Sequence, residues 1–116
     1  ADVHLMLAEA SLKEGDQATA LSYMNGIRER AYGNSNHNFS TVTLDDVLEE
    51  RSKELYWECT RRTDLIRFNK FTGSDLVWSF KGGTTDGTAV DEFRSLYPLP
   101  TYDIVNNPNL SQNDGY

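Results

Sequence analysis

The segment LDDVLEERSKELYWECTRRTDLIRFNKFTG, residues 44–73, carries the strongest structural signal in the chain. Thr43, immediately before it, is a favoured helix N-cap, and the acids that follow suit the positive end of a helix dipole. Apolar side chains then recur at helical spacing, so a helix is predicted from Thr43 to about Cys59. The apolar face of this helix comprises Leu44, Val47, Leu48 and Leu55.

Charged side chains fall on or near that apolar face. Arg51 lies on it and Glu58 lies close to it, and a buried charge is costly unless it is paired. Partners are near in sequence: Glu54 for Arg51, two arginines for Glu58, and Asp64 for the arginine that follows it. We therefore predict a structural ion-pair network that ties two helices together. Its members are Arg51, Glu54, Glu58, Arg61, Arg62, Asp64 and Arg67.

Two carboxylates of this segment also allow a chemical interpretation. Glu54 and Glu58 are four residues apart, so on one helix their Cβ atoms would lie about 5–6 Å apart. Retaining glycosidases hold two carboxyl groups about 5–5.5 Å apart, which makes an acid and nucleophile pair a remote alternative. The arginines within reach favour ionised carboxylates, whereas a general acid must stay protonated. The structural network is therefore preferred, and no catalytic residue is predicted.

The composition excludes several classes of function. The chain has 116 residues, a size typical of one domain, and a net charge of −7. Such an acidic chain is unsuited to nucleic acid or to an anionic membrane surface, and it has no apolar run of about 18 residues. One cysteine, Cys59, and two histidines, His4 and His37, form neither an internal disulfide nor a usual zinc-ligand set. No metal and no cofactor is predicted.

Residues 1–32 are predicted to form a helical hairpin. Patterns for two helices, over 2–14 and 17–31, meet at Gly15-Asp16, where glycine ends one helix and aspartate caps the next. The alternation of small and large residues resembles a tetratricopeptide hairpin. Gly26, inside the second helix, indicates either tolerance of glycine or the close approach of a neighbouring backbone.

The first helix is apolar on two sides. One stripe contains Val3, Leu7 and Ala10, and the other contains Leu5, Ala8 and Leu12. Because a helix with two apolar sides usually has two neighbours, we expect one to be the next helix and the other to lie upstream, outside this chain.

The ordered motifs resemble those of SusD/RagB-type nutrient-binding proteins over the whole chain. The family's helix carries Glu-Arg, Glu-Leu, Glu-Gly-His-Arg, then Asp-Leu and a basic residue. Cys59 and Thr60 depart from it, standing where the family usually has Gly and His. The tail YPLPTYDIVNNPNLSQNDGY, residues 97–116, resembles the family ending, with Asp114 in place of a final Pro. The matching residues are Glu50-Arg51, Glu54-Leu55, Glu58, Arg61, Asp64-Leu65 and Arg67.

The resemblance implies that the protein binds a nutrient and does not catalyse a reaction. Family members are surface lipoproteins of the outer membrane of Bacteroidetes-type bacteria, and they bind glycans, or in some cases other nutrients such as peptides, for uptake. They act as a lid over a SusC-like TonB-dependent porin. The lipid anchor is N-terminal and outside this chain, so Cys59 is not the anchor. The chain is therefore expected to be mainly scaffold, with a glycan and the porin as partners.

Three aromatic side chains are candidate ligand contacts. Trp78 and Phe80 precede Lys81-Gly82-Gly83 in a long aperiodic segment, residues 70–96, and an exposed ring there could stack on a sugar. Tyr32, at a helix end, is the third candidate. The alternative for Trp78, which we prefer, is that its ring packs the loop onto the helices.

The predicted fold class is mainly α, with a tetratricopeptide-like hairpin, a further helix pair, long ordered loops and an extended C-terminal tail. The chain is expected to be the C-terminal region of a longer protein. A helical-repeat scaffold that binds only proteins is the alternative function. The predicted parts are 1–32, the hairpin; 43–69, the charged helix pair; and 70–116, the loop-rich segment and tail.

Overall fold

Helices dominate the computed structural model, which describes residues 1–116. About half of the residues, 51%, are helical and no strand forms, so the predicted mainly α fold class is confirmed. None of the helices combines the length and apolar character that crossing a bilayer requires. The helices are α1 Asp2–Lys13, α2 Gln17–Tyr32, α3 Leu44–Glu54, α4 Arg61–Arg67 and α5 Thr101–Asn106, with short 3-10 turns at Lys81–Gly83 and Glu92–Ser95.

The chain divides into two units, Ala1–Asp64 and Leu65–Tyr116. In the first unit α1 packs against both α2 and α3. Ala8 on α1 and Ala20 on α2 are fully buried, and such small side chains let helices approach closely. The hairpin is as expected, while its tetratricopeptide-like character stays a prediction. The apolar core of the first unit comprises Leu5, Ala8, Ala20, Met24, Ile27, Val42, Val47, Leu48 and Leu55.

Only one of the two apolar stripes of α1 is covered. Leu5 and Ala8 are completely buried, whereas Val3 is 63% exposed and Met6 is 51% exposed. Leu7, from the same stripe as Val3, is also exposed. The first unit therefore leaves one apolar face of α1 in solvent.

Helix α3 begins where the sequence predicts but ends earlier than predicted. Thr43 and Asp46 form a capping box, in which each side chain binds the other residue's backbone N–H. The helix ends at Glu54, so the prediction that it reaches Cys59 was wrong. Trp57 and Cys59 adopt φ angles of 69° and 60°, and a right-handed helix cannot continue through such residues. Residues 55–60 form a turn between α3 and α4.

The second unit is organised by hydrogen bonds among its loops. Gly73 and Val90 form a single antiparallel bridge. The tail folds back within the unit, since the Gln112 side chain both donates to and accepts from the backbone of Leu99. The Tyr116 hydroxyl donates to the carbonyl of Leu96, 2.8 Å away. These bonds give the tail a defined position despite its scarcity of apolar residues.

Candidate functional site

Arg51 is the centre of the buried charge network. Its side chain is almost fully buried, with Nε 2.8 Å from Asp64 Oδ2 and Nη1 2.8 Å from Asp2 Oδ1. Burial lowers the pKa of the guanidinium, but the hydrogen bonds to Asp64 and Asp2 outweigh it, so the pKa is raised. Arg51 thus remains charged and links the start of α1, the end of α3 and α4.

The remaining acids pair with more distant residues than the sequence suggested. Glu54 forms an ion pair with Arg30 of α2 rather than with Arg51. Glu50, which the sequence did not single out as a network member, is buried and pairs with Arg28 at 2.8 Å. Its partner is 22 residues away, so no local spacing indicates this pair.

Other predicted network members serve different roles. Glu58 is exposed in the turn after α3, so it does not share a helical face with Glu54. Arg61 donates from Nη1 to the carbonyl of Leu48 at 2.9 Å, and burial lowers the pKa of its guanidinium. The guanidinium carbon of Arg67 lies 4.7 Å from the ring centroid of Phe68. Arg62 follows Arg61 in the first turn of α4.

Tyr32 is 49% exposed but contacts side chains of its own unit. Its ring stacks on His37 with centroids 4.0 Å apart and planes 26° apart. The Arg28 guanidinium carbon lies 5.4 Å from the Tyr32 centroid and 4.2 Å from that of Phe39. One face of Tyr32 is therefore already occupied.

Trp78 packs against a buried lysine. Lys81 is only 3% exposed, and its ammonium nitrogen lies 4.8 Å from the centroid of the Trp78 ring. The same ammonium donates to the carbonyls of Gly73 and Leu76. A cation in this position is stabilised by the negative face of the indole ring. Trp78 is 40% exposed, so part of its ring still contacts solvent.

Phe80 is the most exposed of the three candidates. The residue is 70% exposed, and its backbone has a φ of 68°, which is unusual for an aromatic residue. The residue begins a turn in which Gly83 N–H donates to the Phe80 carbonyl at 3.0 Å.

Sequence reasoning missed the turn at 55–60. Tyr56 and Trp57 are 75% and 85% exposed there, and they border a groove of about 620 Å³. The family's usual glycine at position 59 was the signal that could have revealed the turn, because glycine readily adopts a positive φ. Cys59 occupies that position here and does have a positive φ. The Cys59 thiol is free and exposed. The structure contains no cluster of three potential metal ligands.

Comparison with known proteins identifies the family. The SusD family model matches residues 1–116. The chain belongs to the SusD family. It is similar to the starch-binding protein SusD of Bacteroides thetaiotaomicron, with 41% identity over 116 residues, which cover 100% of this chain and 20% of that protein. It is also similar to SusD-like protein P25 of Formosa agariphila, with 33% identity over 122 residues, 98% of this chain and 22% of that protein.

Solved structures of the SusD family share the fold. A protein from Bacteroides vulgatus described as sugar-binding superposes with a TM-score of 0.73 and 34% identity, over 97% of this chain and 27% of that one. A SusD superfamily protein from Bacteroides fragilis gives a TM-score of 0.71 and 31% identity, over 98% of this chain and 26% of that one. This chain thus spans about one-fifth of the length of its curated SusD relatives.

The SusD comparison also bears on the enzymatic alternative. The relatives whose names state an activity are binding proteins: one binds starch and another is described as sugar-binding. SusD homologues are carbohydrate-binding proteins rather than enzymes, in agreement with the expectation of no enzymatic activity. The glycosidase hypothesis also lacks its geometry, because α3 ends at Glu54 and leaves Glu58 in a turn.

Proposed function

We propose that the full-length protein carrying this chain binds a glycan nutrient at the outer membrane surface. It would act as a SusD-like lid over a SusC-like TonB-dependent transporter, held to the membrane by an N-terminal lipid anchor outside residues 1–116. The observation that carries the proposal is the 41% identity, along the whole chain, to a protein named for starch binding.

Within that protein, residues 1–116 serve mainly as scaffold. The buried network supports this role, because the Arg51 guanidinium donates its hydrogen bonds to Asp64 and Asp2 within the chain and not to a ligand. Two of the three candidate aromatics support it too. Trp78 packs on Lys81, and Tyr32 stacks on His37. Phe80 is the candidate whose exposed ring best suits a sugar contact.

Calorimetric titration of the full-length protein with a panel of oligosaccharides, starting with starch fragments, tests the proposal. We expect a glycan to bind, and we expect the transporter to co-purify with the protein. If the segment is scaffold, Tyr32→Ala, Trp78→Ala and Phe80→Ala each leave the affinity within about twofold, as does the surface control Tyr102→Ala. A loss of about tenfold or more in any of the three candidate variants would place a ligand site in this segment and contradict the scaffold role.

A helical-repeat scaffold that binds only proteins is the second candidate function. The exposed stripe of α1, with Val3 and Leu7, favours it because apolar helix faces are frequent protein contacts. This alternative predicts a protein partner and no binding to any member of the glycan panel.

A further inference from the structure

Asn25 is the only asparagine in the chain that is followed by glycine. In an Asn-Gly pair the backbone nitrogen of the glycine can attack the preceding side-chain amide, because glycine has no Cβ to hinder the approach. Gly26 lies inside α2, where glycine weakens a helix, and no atom lies within 4 Å of the position a Cβ would take. The pair therefore combines a reactive sequence with a weak point of the helix.

The Asn25 side chain is bonded to the strap, residues 37–42, which lies against α2. Its Nδ2 donates to the carbonyl of Phe39 at 3.0 Å, and its Oδ1 accepts from the Phe39 N–H at 2.8 Å. No backbone-to-backbone hydrogen bond holds residues 39–42. One amide thus satisfies both backbone groups of Phe39, which requires an N–H donor and an oxygen acceptor on the same side chain.

Two other side chains of α2 hold the ends of the strap. Gln17 donates from Nε2 to the carbonyl of Val42 at 2.9 Å, and Arg28 donates from Nε to the carbonyl of His37 at 2.6 Å. Asn25 lies between them in α2, so its two bonds hold the middle of the strap. Because the strap has no ladder of its own, loss of these bonds removes a large part of what keeps it on the helix.

The folded helix prevents the reaction of the Asn-Gly pair. The helical backbone fixes the Gly26 nitrogen, and the bonds to Phe39 fix the amide that it would attack. When α2 opens locally, the Gly26 nitrogen forms a bond to Cγ of Asn25. The Nδ2 group leaves as ammonia and takes the proton of the Gly26 amide. Water then opens the five-membered imide at either carbonyl, which gives aspartate or isoaspartate. The net reaction consumes one water and releases one ammonia, with no oxidant or other reactant.

We propose that Asn25 is a deamidation site that folding protects, and that its conversion releases the strap from α2. Aspartate has no N–H to donate, so a carboxylate oxygen replaces the donor that faced the Phe39 carbonyl at 3.0 Å. Isoaspartate also adds a main-chain atom inside α2, which disturbs the register of the helical hydrogen bonds. Either product leaves the Phe39 carbonyl without its partner. The inference does not rest on glycan binding.

The rate of deamidation in the full-length protein tests the site. The native and the urea-unfolded protein are kept at the same alkaline pH, and mass spectrometry follows the peptide that contains Asn25. We expect conversion in the unfolded protein and at least about hundredfold slower conversion in the native protein. The matched control is Gly26→Ala, whose methyl group should slow conversion in urea at least about tenfold. Native and unfolded rates within about threefold of each other, or an unchanged rate in Gly26→Ala, would overturn the inference.

Proteolysis tests the release of the strap. Chymotrypsin cleaves after aromatic residues, so the rate of cleavage after Phe39 reports how often the strap leaves α2. We expect Asn25→Asp to be cleaved there at least about tenfold faster than the wild-type protein. Asn36→Asp adds the same charge at an exposed position and should stay within about twofold. Equal cleavage of the two variants would overturn the release. Wild-type protein that is converted in urea and refolded gives the same comparison without a substitution.

Discussion

The Arg51 guanidinium and the Asp64 carboxylate meet at 2.8 Å with both side chains almost fully buried. Arg51 extends from the apolar face of α3, where an unpaired charge would be costly, and Asp64 comes from α4. Asp2 of α1 completes the contact from the other side. The Arg51 side chain therefore links α1, α3 and α4. Because its charge is paired, the charged helix α3 can pack in the core of the first unit.

Arg51→Met should destabilise the full-length protein strongly, because it removes the buried guanidinium that binds the buried Asp64 carboxylate. Breaking a buried pair from one side costs about 3–5 kcal/mol. Urea unfolding measures the change. The control is Lys53→Met on the same helix, whose pair with Glu49 is exposed, so that loss should be about 0.5 kcal/mol or less. Equal effects of the two variants would contradict the structural role of Arg51.

Cys59→Gly should stabilise the protein by about 1 kcal/mol, because the residue has a φ of 60° and only glycine adopts this region without strain. Cys59→Ser is the matched control, since it removes the thiol but keeps the strained backbone. Differential scanning calorimetry compares the melting temperatures. A glycine variant that melts below the serine variant would show that the turn gains nothing from relief of strain.

Gly26→Ala should also stabilise, by about 1 kcal/mol, because glycine is a poor residue inside a helix. A Cβ at this position meets no atom within 4 Å, so the structure favours tolerance over close approach of a neighbour. Gly87→Ala is the opposite control, since its Cβ would lie 2.1 Å from the Trp78 carbonyl oxygen. Thermal unfolding should move in opposite directions for the two variants. Destabilisation by Gly26→Ala would place a packed neighbour against α2 in the full-length protein.

Lys81→Met should loosen the loop around Trp78. The variant removes the ammonium from the ring face and leaves the carbonyls of Gly73 and Leu76 without this donor. An unsatisfied buried polar group costs about 1–3 kcal/mol. Hydrogen exchange reports the change at the amide of Thr88, which donates to the Lys81 carbonyl at 2.9 Å. Unchanged exchange there, with Phe80→Ala as the surface control, would mean that Lys81 does not hold the loop.

The sequence was informative where local rules decide the structure. The helix start at Thr43 and the apolar stripe with Leu5 and Ala8 followed from spacing, whereas which stripe of α1 is covered did not. The partners of charged groups did not, because the Arg28–Glu50 pair is formed across 22 residues by tertiary packing. The end of α3 at Glu54 was also missed, because apolar residues keep their helical spacing to Leu55. Residues 55–60 contain no glycine, which would have indicated a turn with positive φ angles.

The functional surfaces depended even more on tertiary context. The burial of Lys81 against Trp78 could not be read from composition, because a lysine beside two glycines is usually solvated. Trp57 was missed for the opposite reason, since an aromatic residue in a helical pattern is usually core. The family resemblance supplied what local patterns could not, and the match to the SusD family over residues 1–116 confirmed it.

The most direct test is the affinity of the full-length protein for glycans before and after Trp78→Ala, measured by isothermal titration calorimetry. We expect at least one oligosaccharide to bind, and we expect the substitution to change its affinity by no more than about twofold. Absence of binding to every glycan in the panel would contradict glycan binding as the function. Binding that the substitution abolishes in a still-folded protein would contradict the scaffold role of residues 1–116.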